Sequence, residues 1–230
     1  MVRIHLHKKN YPLIDLKKLL IITSAILIIE AFSFLLPFQN NIIKTLILRT
    51  LDIFIIYLFI LKFKMKNLFL DKKIFFCGVK TGLIISFAAG LIFFFISFII
   101  KKIFNISIIN FLMNKPPSAK ELCILILSGG IISPIAEELY FRGIFLSFLK
   151  EKLNIFAAIF FSSLIFAIIH NSSPAASVFQ FAGGLFFASA YILSKNIYVP
   201  IIIHSAGNIF IFILPEIKNL YILSSIIQLI

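Results

Sequence analysis

Charged residues make up only 13% of this sequence, and acidic ones are the scarcer sign, with nine Asp and Glu against 22 Lys and Arg. A soluble domain carries about 25% charged and about 45–50% apolar residues. Here 61% of the residues are hydrophobic and mean hydropathy is +1.09. A chain of 230 residues cannot bury that surplus in one core, so it needs lipid as its solvent. Tryptophan is absent, while Phe (29 residues) and Ile dominate, a bias that carries no functional information. Cysteine is limited to Cys77 and Cys123. Each opens a candidate span, on opposite sides of the membrane by the topology below, which argues against a disulfide. There is no CxxC spacing for a metal, and both cysteines are expected to be small buried apolar residues.

The net charge of +13 would suggest nucleic acid in a soluble protein. The lysines fall instead in short clusters between apolar runs, with no basic groove interleaved with aromatics, so they report membrane topology and no nucleic-acid partner. At the N-terminus Arg3, Lys8, Lys9, Lys17 and Lys18 precede an apolar run, as in a signal peptide. That run, Leu19–Leu36, is too long for the usual apolar segment, contains Glu30 and lacks a small-x-small cleavage site, so it reads as a retained first span.

A span needs about 20 mainly apolar residues. Candidates are Leu19–Leu36, Ile42–Leu61, Ile74–Ile100, Leu122–Leu149, Ile155–His170, Ser177–Ser194, Val199–Leu214 and a short Ile217–Ile230. The expected fold is therefore an all-α membrane protein of about eight transmembrane helices. Lys and Arg counts favour both termini inside, weakened by the third loop. That loop contains Lys115-Pro116-Pro117-Ser118, a helix-breaking connection. It divides the chain into residues 1–120, a basic arm with three helices, and residues 121–230, which carry the chemistry in the C-terminal helices. No internal repeat and no low-complexity tail appear.

Ionisable groups inside spans are costly and mark functional candidates. The fourth span contains Glu137, Glu138 and Arg142. Glu138 and Arg142 are spaced i,i+4 and can pair, whereas Glu137 is turned about 100° away and needs another partner. His170 ends one span, and His204 and Asn208 lie one turn apart in another. A hydrolase needs a base for water and donors for the developing oxyanion. Glu137 can be the base, His170 can share the water's proton, and His204 and Asn208 can donate to one carbonyl oxygen. The plainer readings are a structural ion pair for Glu138 and Arg142 and interhelical hydrogen bonds for the histidines and Asn208. Arg49 and Asp52 (i,i+3) should satisfy each other, His5 and His7 should be solvated, and Gly183-Gly184 should permit close helix packing.

Glu137-Glu138-x-x-x-Arg142, Phe166-x-x-x-His170 and His204-x-x-x-Asn208 resemble, in order and placement, the three motifs of the CAAX prenyl endopeptidase type II and bacteriocin-processing (CPBP or Abi) family. The resemblance covers about Ser118 to Leu214. It implies an intramembrane endopeptidase acting on a membrane-associated or lipidated peptide. It assigns Glu137 as base, His170 as its partner on the water, His204 and Asn208 as the oxyanion site, and Glu138 and Arg142 as structural support. Two cofactor readings stay open. One is metal-free; in the other Zn2+ is held by Glu137, His170 and His204, although no HExxH is present. The competing function is a non-catalytic membrane scaffold or a bacteriocin self-immunity protein. A small transporter is disfavoured by the absence of a repeated half. The expected location is the bacterial cytoplasmic membrane, multi-pass, with lipid and a hydrophobic or lipidated peptide as partners.

Overall fold

A computed structural model of the chain describes residues 14–35, 38, 40–63, 72–108, 117–170 and 174–219. Among these the fold is all-α, as expected of a membrane protein of this composition. The helices are α1 Leu16–Ser33, α2 Asn41–Lys62, α3 Lys72–Phe104, α4 Ala119–Lys150, α5 Ile155–Ile169, α6 Pro174–Ser194 and α7 Tyr198–Asn219. Local chemistry sets their starts. Asp15 accepts the Lys18 backbone N–H at 2.8 Å, which holds its carboxyl below the usual range. Asn40 accepts the amides of Ile42 and Ile43, and Asn154 accepts that of Ala157. Ser118 and Glu121 form a reciprocal capping box at the head of α4.

Four helices are long and apolar enough to cross a membrane: Lys73–Phe104, Ala119–Lys150, Ala176–Ser194 and Tyr198–Ile217. α5 is apolar but only 15 residues long. α1 and α2 carry Lys17, Lys18 and Glu30, and Lys44, Arg49 and Asp52, and so do not join that group. The expected count of eight spans is thus not met among the described residues. The expected break between Leu214 and Ile217 is absent, because α7 runs through Pro215 to Asn219. The remainder of the eighth candidate span lies outside the described residues, as do His5, His7, Lys64, Lys66 and Lys115-Pro116. Cys77 and Cys123 are free, as expected, but exposed and not buried, because each sits on the outer face of its helix.

α4 is the central element. It packs against α2 on one side and α7 on another, and its C-terminal half meets α5. α5 and α6 pair along their length, and α3 lies along α7. Buried Ile22, Ile56, Phe59, Ile60 and Ile144 join α1, α2 and α4 in one apolar cluster. The connection before α7 is latched to α3, where Asn196 donates to the Ile74 carbonyl at 2.8 Å and accepts the Tyr198 amide at 3.0 Å.

α4 is not a regular α-helix. Two π-helical stretches, Ile126–Ile132 and Leu139–Phe145, flank an α-helical turn at Ser133–Glu138. Such widened turns concentrate at functional sites, and here they bracket the two glutamates.

The α5–α6 contact has no room for a side chain at Gly184. A Cβ there would lie 3.0 Å from Ser163 Cβ and 3.1 Å from Ser163 Cα. Gly90 in α3 faces open space. Gly184→Ala is therefore expected to cost about 1–3 kcal/mol by overpacking, read as a lower melting temperature in detergent. Gly90→Ala should leave the melting temperature unchanged or raised, since Ala is the better helix former by about 1 kcal/mol.

Candidate active site

Glu137 and Glu138 are neighbours in sequence and opposites in environment. The Glu138 side chain is 0% exposed and Arg142 likewise. Arg142 Nη1 donates to Glu138 Oε1 at 2.8 Å, as the i,i+4 spacing predicts. The same oxygen accepts from His204 Nδ1 at 2.9 Å, across to α7. Arg142 Nη2 donates to the Gly184 carbonyl of α6 at 3.1 Å. One carboxylate and one guanidinium therefore tie α4 to α6 and α7.

Three rings cage this ion pair. The guanidinium carbon lies 4.7 Å from the centroid of Phe166, 5.4 Å from Phe187 and 5.8 Å from Phe141. Ring faces carry negative potential and stabilise a desolvated cation. Phe187 also stacks on the His204 imidazole, with centroids 4.6 Å apart and planes 18° from parallel. Phe166 contacts His170 with centroids 4.4 Å apart. Phe187 and Gly184 were not singled out for the site from sequence. Their own helix carries no charged residue, so the only available signal was their spacing on α6.

Glu137 is partly open, with its side chain 15% exposed against 27% for His170. Its Oε2 lies 3.5 Å from His170 Nε2 and 3.8 Å from His204 Nε2. Both imidazoles are fixed at their other nitrogen. His170 Nδ1 bonds the Phe166 carbonyl at 2.7 Å, one turn back on α5, and His204 Nδ1 bonds Glu138. Each acceptor oxygen places the proton on Nδ1 and leaves Nε2 facing the Glu137 carboxylate. The structure thus brings Glu137, His170 and His204 together from α4, the end of α5 and α7. Asn208 belongs to the same helix face as His204 and donates its Nδ2 to the Gly129 carbonyl of α4 at 2.8 Å.

Arg49 and Asp52 pair as their spacing predicts, at 2.5 Å. Glu30 of the first candidate span joins them: Arg49 Nη2 meets Glu30 Oε1 at 2.8 Å, linking α1 to α2. Arg49 is also within electrostatic reach of Glu137 and His170.

Among the described residues no group of three or more His, Cys, Asp or Glu side chains is arranged to hold a metal ion, and this includes Glu137, His170 and His204. The zinc reading gains no support from this arrangement, and no step below is routed through a metal.

These features define a helical membrane protein with a carboxylate–imidazole centre among its helices. Residues 119–210, which contain all six candidate site residues, match the family described as Type II CAAX prenyl endopeptidase Rce1-like. Among curated proteins the chain is similar to YdiL of Bacillus subtilis (strain 168), whose name proposes a membrane peptidase. The two are 38% identical over 91 residues, covering 40% of this chain and 37% of that protein. It is also similar to the membrane-embedded CAAX protease MroQ of Staphylococcus aureus (strain USA300), at 36% identity over 101 residues, 41% of this chain and 40% of that protein. The matched stretch thus spans about two-fifths of each relative's own length. No solved structure gives a significant match.

Removing Arg142 strands a buried carboxylate. Arg142→Ala is expected to cost about 3–5 kcal/mol, read as loss of the folded, monodisperse protein in detergent. Arg142→Lys should recover only part of this, because a point charge cannot serve Glu138 and the Gly184 carbonyl together.

Proposed function

We propose that the chain is an intramembrane endopeptidase that hydrolyses a peptide bond in a membrane-associated or lipidated peptide. The observation that carries this reading is the Glu137 carboxylate, partly open and faced by two imidazole Nε2 atoms at 3.5 and 3.8 Å. Nothing in a purely structural role calls for an ionisable group to be left open inside an apolar bundle, where each charge is costly. Glu138, by contrast, is fully enclosed and paired, so the two glutamates divide into a base and a support.

In the proposed mechanism Glu137 takes a proton from a water that sits beside the pair and contacts both Glu137 and His170. The water attacks the scissile carbonyl, whose developing oxyanion accepts from His204 Nε2–H and from the Asn208 amide. His204 serves in its protonated form, with Nδ1–H held by Glu138 and Nε2–H turned to the substrate. Glu137 then returns the proton to the leaving amine. No covalent intermediate and no metal is part of this scheme. The names of the relatives support the peptidase class, and the reach of lipid-facing helices around the site supports a substrate that arrives through the membrane. The setting we propose is the bacterial cytoplasmic membrane, crossed several times.

The test is cleavage of a quenched, farnesylated CAAX-type peptide by the detergent-purified protein. Glu137→Gln should lower kcat by about 10²–10⁴-fold, the usual contribution of a positioned base. Undiminished cleavage by that variant would overturn the assignment. Metal-stripped, chelator-treated wild type should retain full activity, and activity restored only by added Zn2+ would overturn the metal-free scheme.

A further inference from the structure

The side chain of Asn208 is held by a backbone carbonyl that a regular helix would not offer. In an α-helix the Gly129 carbonyl accepts the N–H of residue 133. Here the Ser133 N–H goes instead to the Ser128 carbonyl, five residues back, as the π-helical stretch Ile126–Ile132 closes. The next donor along the chain is residue 134, which is Pro134 and has no N–H. Neither neighbouring backbone donor therefore fills Gly129. The vacancy is taken by Asn208 Nδ2 at 2.8 Å. The approach is close because this segment carries no side chains: a Cβ on Gly130 would lie 2.8 Å from Ile209 Cγ1, and one on Gly129 would lie 3.0 Å from the Phe212 ring.

We infer that Pro134 is a positioning residue for Asn208: by removing one backbone N–H it keeps the Gly129 carbonyl free to hold the Asn208 amide nitrogen. The consequence is directional. An acceptor selects the amide orientation in which nitrogen, not oxygen, faces Gly129. Nδ2 carries two hydrogens; one is spent on Gly129 and the second remains for a substrate carbonyl oxygen. A donor at the same place would select the opposite orientation and offer the substrate an oxygen. The inference rests on the endopeptidase reading for what Asn208 does, but the Pro134–Gly129–Asn208 arrangement stands on geometry alone.

Pro134 is itself buried, so replacing it also alters packing. The test separates the two effects by comparing Pro134→Ala with its backbone-ester counterpart, in which the α-hydroxy analogue of alanine is incorporated at position 134. The two have the same side chain, and only the amide form has an N–H. With the farnesylated peptide as probe, Pro134→Ala should lower kcat by about 10²-fold, the loss typical of a removed oxyanion donor. The ester form should recover most of that activity. Pro134→Ala combined with Asn208→Ala should be no worse than Asn208→Ala alone, because both remove the same contact. Equal impairment of the amide and ester forms would show that Pro134 acts only by packing and would overturn the inference. So would full activity in Pro134→Ala beside an impaired Asn208→Ala. If Glu137→Gln is itself undiminished, the endopeptidase reading has failed, an outcome separate from either of these.

Discussion

The buried carboxylate of Glu138 is the interaction on which the rest of the site depends. A charge taken out of water inside an apolar bundle survives only if its partners are close and well aligned. Glu138 Oε1 accepts from Arg142 at 2.8 Å and from His204 at 2.9 Å. Arg142 in turn is held by the Gly184 carbonyl and by three aromatic faces. Each helix that supplies a candidate reactive group is registered against this one ion pair. His204 is oriented by it directly. His170 is placed through Phe166, whose ring lies over the guanidinium and whose carbonyl holds the imidazole. Glu137 is displaced from it by one residue of helical rotation, which is why the second glutamate is free for other chemistry.

Much of this was legible in the sequence, and the part that was legible follows a rule. Contacts within one helix obey its period, so Glu138–Arg142 and Arg49–Asp52 could be read from spacing. The separation of Glu137 from Glu138 could be read from the 100° step. Contacts between helices have no such period. The pairing of His204 with Glu138 joins residues 66 apart, and that of Arg142 with Gly184 joins residues 42 apart. Which nitrogen of His204 faces Glu137 depends on the first of those contacts, so it could not be foreseen. The count of eight spans is not confirmed: among the described residues four helices are long and apolar enough to cross a membrane. The candidate spans ending at Leu214 and beginning at Ile217 are joined, since α7 continues through Pro215. Hydropathy windows also treat α1 and α2 as spans, although their charges form a network that an isolated helix in lipid would not tolerate.

The π-helical stretches of α4 show how backbone irregularity and site chemistry are linked. A regular helix satisfies its own carbonyls and has none to lend. Two register changes on either side of Glu137–Glu138 alter that local economy of hydrogen bonds, and one of the carbonyls concerned, that of Gly129, holds a side chain from another helix. The sequence carried the clue in Gly129-Gly130 followed by Pro134: residues without bulk where a helix approaches, then a residue without a donor. Spacing rules built on ideal helices pass over such a pattern because each member alone is unremarkable.

The packing of α2 against α4 has a bearing on where the unit of inheritance ends and the unit of solvation begins. The family match covers residues 119–210, yet Arg49, from a helix outside that stretch, lies within electrostatic reach of Glu137. The face of α4 that carries Ile144 is covered by Ile56, Phe59 and Ile60 of α2 and by Ile22 of α1. A chain trimmed to the shared stretch would keep every motif residue while presenting that face, and the charges behind it, to lipid. The front helices are therefore free to diverge in sequence only so long as each lineage keeps some apolar cover there. Relatives that look unalike before the shared stretch should differ in the identity of that cover and not in its presence.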